Sequence, residues 1–167
     1  ILAVTGKMLK SMYLHREIRE KGGAYGGYSI YSPEDGIFSY ASYRDPHIIN
    51  TLKVYREAPA FIRAGNFCDE DVKEAILQVC SETDKPDPPG PAARKAFYRK
   101  IVSLSDDLRA RYKIGVLAVT REKVITAAEK YLGDNKNNCG VAVISGEEKL
   151  KSANEQLGDS ALKLFRI

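Results

Sequence analysis

Arg19 and Tyr25 are the side chains whose setting singles them out in this sequence. Both lie in the stretch R-E-I-R-E-K-G-G-A-Y-G-G from Arg16 to Gly27, Arg19 just before its glycine-rich part and Tyr25 within it. Four glycines (22, 23, 26 and 27) surround that one tyrosine. Glycine lets the backbone take positive φ and lie close against another group, and Gly23 is expected at positive φ. A helix C-cap needs one glycine, or at most two. The surplus points to a placed side chain as well as a stopped helix. His15 precedes the bend, and with Glu17 or Glu20 it has the makings of an acid/base pair. A histidine on the inner face of a helix is more often a hydrogen-bonded structural residue.

Other chemistries find little support. His15 and His47 are the only histidines, and neither H-x-x-E-H nor H-x-x-H is present. There is no G-x-S-x-G elbow, and no glycine run is followed by Lys-Ser or Lys-Thr as in a P-loop. A phosphate nest at the bend would sit at a helix C-terminus, whose dipole repels anions. Cys68, Cys80 and Cys139 are scattered and form no C-x-x-C pair. That arrangement argues against a disulfide framework and leads us to expect a reducing compartment. Cys80 falls on an apolar helix face, where a buried thiol is the ordinary reading. On its own chemistry the chain has no complete catalytic apparatus.

The elements that must position Arg19 and Tyr25 follow from periodicity. At roughly 100° per residue, Ile1, Val4, Met8 and Met12 share one face of a helix expected from Ile1 to Lys21. His15 and Arg19 continue that stripe, so Arg19 is expected to face inward and to need a partner or a water-filled cleft. Tyr28–Ser32 and Ile37–Tyr43 read as a β-hairpin across the turn Pro33-Glu34-Asp35-Gly36. Asp45 is a good N-cap and Pro46 suits the first position of a second helix. Ile48, Leu52 and Tyr55 line one face of that helix. Pro59 should kink or end it, and Gly65 closes what continues.

A third helix starts at Asp69 or Asp71, with Val72, Ala75, Ile76, Val79 and Cys80 as its core stripe. The run from Lys85 to Pro91 reads as a stiff loop. Helices are then expected at Ala92–Val102, at Asp106–Leu117 with Ser105 as cap, and at Arg121–Leu132 with Thr120 as cap. Gly133 should end the last of these. Cys139–Ser145 reads as a buried strand, Glu147–Leu157 as a polar helix ending at Gly158, and Ala161–Ile167 as an edge strand. The sum is an α+β domain in which helices cover one face of an antiparallel sheet.

With 167 residues, 44% of them apolar, one domain with a real core is expected. Charged residues make up 29%, which excludes a disordered chain. The net charge of +4 is spread without a basic block, so a nucleic-acid-binding domain has little support. No apolar run approaches the length of a membrane-spanning helix. The chain opens Ile-Leu-Ala-Val inside an apolar pattern without a capping residue. We therefore expect a piece of a longer polypeptide, whose preceding segment supplies further strands of the sheet.

L-H-R-E-I-R-E-K-G-G-A-Y-G-G, followed by D-G-I-F-S-Y-A-S-Y-R-D-P, resembles the last domain of the pitrilysin/insulinase-type zinc metallopeptidases. The likeness is greatest to the presequence-protease branch, which includes falcilysin-type enzymes. It covers most of the chain, with the A-I-L-Q run after Asp71 and K-Y-L-G before the last apolar run. The tail beyond Gly146 is not diagnostic.

The resemblance implies four related α/β domains in two halves that close like a clamshell on a peptide. Zinc is held by H-x-x-E-H and a distant Glu in the first domain. The last half lacks zinc ligands but supplies an Arg and a Tyr to the substrate, at positions matching Arg19 and Tyr25. Gly22, Gly23 and Ala24 would shape the bend that aims the tyrosine. The implied partners are the peptide substrate and the zinc-bearing N-terminal half, with no nucleic acid and no membrane. The implied setting is a mitochondrial or plastid-type matrix or a bacterial cytoplasm. The alternative is a non-catalytic structural or partner module of the same fold, as in core subunits of respiratory complexes.

With no ligand set of its own, the isolated chain is expected to bind no stoichiometric zinc and to cleave no unstructured peptide. Metal analysis finding one tightly held zinc per chain would overturn this.

Overall fold

Apolar residues at helical spacing open the chain, and the computed structural model, which describes residues 1–133 and 139–165, begins with them in a helix. Helix α1 (Leu2–Met8) buries Val4, Thr5, Gly6 and Met8. It runs without a break into a π-helical segment, Leu9–Glu20, that buries Leu9, Leu14 and Ile18. A turn closed from residue i to i+5 advances each residue through a smaller angle than an α-turn. That winding lines up Leu9, Leu14 and Ile18, which an α-helix would not. It also turns His15 and Arg19 off the inner stripe. Arg19 is exposed, contrary to the inward position expected from a uniform α period, and His15 is half-buried.

The segment stops through two nested backbone bonds. The Gly23 amide donates to the Arg19 carbonyl at 2.9 Å, and the Ala24 amide to the Ile18 carbonyl at 3.1 Å. The pattern is that of a Schellman closure with each ring one residue wider, as the π winding requires. Gly23 has φ +72°, the left-handed conformation expected for it.

Strands β1 (Gly26–Ser32) and β2 (Ile37–Tyr43) then form the hairpin, with Gly26 opposite Tyr43 and Ser32 opposite Ile37. Gly36, at φ +69°, closes the turn by donating to the Ser32 carbonyl at 2.9 Å. In β2, Phe38 and Tyr40 pack on the core while Ile37, Ser39, Ala41 and Tyr43 are exposed, so one face is covered. Two contacts fix the hairpin to the first helix. Ser29 Oγ donates to the Gly6 carbonyl at 2.6 Å. A Cβ at Gly27 would stand 3.1 Å from Ile18 Cβ and from the Leu14 carbonyl oxygen, tighter than ordinary contact, so glycine favours this close approach of β1.

Helix α2 spans Ile48–Arg63, two residues later than Asp45 and Pro46 suggest. The Asp45 carboxylate accepts from the His47 amide at 2.9 Å and from Thr51 Oγ1 at 2.6 Å, which leaves Pro46 outside the helix. Its buried stripe is Thr51, Val54, Ala58 and Ile62, flanked by half-buried Ile48, Leu52 and Tyr55. Tyr55 stacks on Tyr40 at 5.2 Å, and burial pushes the Tyr40 phenol well above its usual pKa. Pro59 sits inside the helix without ending it, and closure comes at Gly65, φ +65°.

Helix α3 (Asp69–Asp84) buries Val72, Ala75, Ile76 and Val79 against α1, with Cys80 half-buried beside them. Helix α4 begins at Pro89 and runs to Ile101, so the proline-rich loop is shorter than expected and Pro89 takes the first helical turn. This helix buries none of its residues. Helices α5 (Asp106–Leu117) and α6 (Arg121–Tyr131) carry the expected caps, Ser105 accepting from the Leu108 amide and Thr120 from the Lys123 amide. Arg121 reaches back to the Gly65 and Phe67 carbonyls at 2.7 and 3.0 Å, joining α6 to the end of α2.

Helix α7 (Glu147–Leu157) ends at Gly158, φ +53°. The two expected late strands do not form among the described residues, and the sheet there has two strands. Residues 139–145 have a β-favouring composition but no neighbouring strand to pair with, and Val141 and Ile144 lie exposed. Along 161–165, Leu162 spends its amide and carbonyl on the Asn154 side chain, both at 2.8 Å. The last two residues of that expected strand lie outside the described residues.

Gly23→Val places a β-branched residue in the left-handed region and should cost about 1–3 kcal/mol. The expected result is a lowered midpoint in chemical denaturation, and an unchanged midpoint would contradict it.

Candidate functional site

Helix end, bend and hairpin meet at one place, and Arg19 and Tyr25 both emerge there into solvent. Tyr25 is 63% exposed. Its backbone is nonetheless fixed, because Ala24 before it is buried and its own amide donates to the Tyr43 carbonyl at 3.1 Å. The ring stands edge-on to Tyr43 at 5.8 Å between centroids. The Arg44 guanidinium lies 5.5 Å from the other ring, Tyr43. A row Tyr25–Tyr43–Arg44 therefore runs along the end of the hairpin. Arg44 is held at φ +49°, an uncommon conformation for a side-chain-bearing residue.

Gly22 belongs to the same construction, since a Cβ there would fall 2.5 Å from the Ile18 carbonyl oxygen. The backbone at Gly22, Gly23 and Ala24 thus turns the chain tightly enough for Tyr25 to project away from the core.

Arg19 is tied to His15, its Nη1 lying 3.1 Å from His15 Nε2. His15 Nδ1 lies 3.2 Å from Glu20 Oε1. Of the two acidic residues that sequence reading offers to His15, the structure therefore chooses Glu20. Glu17 is engaged with Lys21 at 2.8 Å and with Arg16 at 3.0 Å. The Lys21 ammonium, aided by Arg16, holds the Glu17 carboxyl below its usual pKa.

Chemically the site is a set of donors. A phenol and a guanidinium face solvent from a rigid bend, and neither has a carboxylate directly on it in the contacts described above. Such groups suit a carbonyl oxygen or another anionic or strongly polar acceptor. Among the described residues no three His, Cys, Asp or Glu side chains gather as a metal site. His47 stands apart at the start of α2. Tyr43 and Arg44 escape sequence reading as neighbours of Tyr25. The signal was the S-Y-R-D-P run at the end of β2, which strand register alone brings beside the bend.

A family model described as the PreP C-terminal domain matches residues 2–147. The chain is 38% identical over 148 residues to a mitochondrial presequence protease of Danio rerio, covering 89% of this chain and 14% of that protein. It is 36% identical over 154 residues to the mitochondrial presequence protease of Mus musculus, covering 92% and 14%. The mitochondrial presequence protease of Kluyveromyces lactis is 38% identical over 148 residues, covering 88% and 14%. The chain thus spans about one seventh of the length of these relatives. With the match extending over the helix, the bend, the hairpin and the helices behind them, the chain belongs to the PreP C-terminal domain family.

Proposed function

We propose that this chain is the C-terminal, non-zinc-binding domain of a zinc metalloendopeptidase that degrades unstructured peptides inside a closed chamber. Its part is to bring Arg19 and Tyr25 to the substrate. The observation that carries the reading is the bend, which buries Ala24, holds Gly23 at positive φ and leaves the Tyr25 phenol in solvent. The relatives are named presequence proteases, and their mitochondrial designation supports an organelle matrix as the location.

In this reading the zinc is held by the N-terminal half of the same polypeptide. When a peptide carbonyl is attacked, its oxygen gains negative charge. A phenol donating to that oxygen stabilises the transition state more than the ground state. The Arg19 guanidinium, a planar fork, suits a neighbouring backbone carbonyl or the same developing charge. Both donors gain strength if closure excludes water around them.

Tyr25→Phe in the full-length protein keeps the ring and removes the hydroxyl. The expected cost is about 2–4 kcal/mol, seen as roughly a thirtyfold to thousandfold fall in kcat with zinc content unchanged. Arg19→Lys should also impair turnover, since an ammonium cannot reproduce the fork, and KM rises if the fork anchors substrate before reaction. The measurement is kcat and KM on a quenched fluorescent peptide, with zinc assayed on the same preparation. Unchanged kinetics for Tyr25→Phe would reduce Tyr25 to a packing residue. A full-length protein without zinc or turnover would instead point to a non-catalytic module.

A further inference from the structure

We propose that His15 and Glu20 are positioning residues for Arg19, the imidazole bridging the Glu20 carboxylate to the Arg19 guanidinium and setting the direction of its fork. The inference rests on the reading of Arg19 as a group that meets substrate.

The tautomer follows from the partners. A guanidinium has donors only, so His15 Nε2, at 3.1 Å from Arg19 Nη1, must accept. The remaining ring nitrogen, Nδ1, then carries the proton and donates it to Glu20 Oε1 at 3.2 Å. A neutral imidazole thus relays an orientation from a carboxylate to a cation without placing the carboxylate on the cation. The guanidinium keeps its other donors for a ligand. Direct pairing with Glu20 would occupy two of them and oppose binding of a carbonyl oxygen.

The winding of the helix makes this bridge possible. Arg19 and Glu20 follow His15 by four and five residues. On an α-helix the fifth residue lies well round from the fourth, and one side chain does not reach both. Within the π-helical segment Leu9–Glu20 the residue at i+5 returns to the face of residue i, and both partners come within reach of one ring. Competing partners are excluded by the rest of the surface, since Glu17 is held by Lys21 and Arg16. All three members of the bridge are at least partly open to solvent, so its contribution is direction more than stability.

The test is a double-mutant cycle on the full-length protein, with kcat and KM on a quenched fluorescent peptide. His15→Ala should lower kcat/KM about three- to tenfold, the range of a surface coupling that strengthens on closure. In the Arg19→Ala background the same change should have no further effect. His15→Gln, whose amide accepts through oxygen and donates through nitrogen, should restore most of the loss. An equal loss from His15→Ala with and without Arg19 would overturn the proposal, because His15 would then act on its own.

A crystal structure of the full-length His15→Ala variant supplies a readout independent of turnover. The Arg19 guanidinium should leave its present direction, and a guanidinium unmoved there would equally refute the bridge. If Arg19→Ala leaves the kinetics untouched, the substrate role of Arg19 fails, and the crystal structure still decides the bridge.

Discussion

Everything around the candidate site depends on how the first helix ends. Two backbone bonds, Gly23 to Arg19 and Ala24 to Ile18, close rings one residue wider than those of a Schellman closure on an α-helix. The wider rings follow from the winding of residues 9–20, and that winding is itself fixed by burial of Leu9, Leu14 and Ile18. Packing of three apolar side chains therefore decides where a guanidinium and a phenol emerge. Burial of aliphatic side chains contributes about 1.5–3 kcal/mol each, more than the surface contacts of Arg19 offer. The exposed polar groups consequently take the positions that the core leaves them.

The hairpin is the second half of the device. Its covered face carries Phe38 and Tyr40 into the core, and its near end pairs Tyr25 with Tyr43 through backbone and ring. Helices α2, α3 and α6 wrap the first helix from the other sides, with Arg121 tying α6 to the carbonyls at the end of α2. That cation at a helix C-terminus also meets the negative end of the dipole. Helix α4 contributes nothing to this core, and its contact with the hairpin turn is a hydrogen bond from Tyr98 to Glu34 at 3.3 Å.

Much of this was legible in the residues. Ser105, Thr120 and Gly158 mark helix boundaries because capping is a local hydrogen-bonding matter, and local chemistry is written in sequence. The hairpin was legible from Pro33 to Gly36 for the same reason. Gly23 was readable as a positive-φ residue. The π winding was not, because apolar residues at 8, 9, 12, 13 and 14 satisfy either period, and the choice is made by what packs on them. The outward position of Arg19 was lost with it. The strand expected at 139–145 failed for a different reason. A β-favouring run specifies a strand only when another backbone stands beside it, and pairing is not a property of the run itself. Tyr43 and Arg44 were missed because register, not spacing, brings them to Tyr25.

Gly27 has one more consequence, a mechanical one. With no side chain between them, the backbone of β1 rests on Ile18 and Leu14, and Ser29 is pinned to Gly6 further along. Two fixed points make the helix and the hairpin a single stiff lever. Its free arm beyond those points runs from Ser29 to the turn at Pro33, about 13 Å at the usual rise of a strand. Pressure on the far turn therefore cannot be absorbed where strand meets helix. The backbones that carry Tyr25 and Arg19 thereby belong to one packed unit.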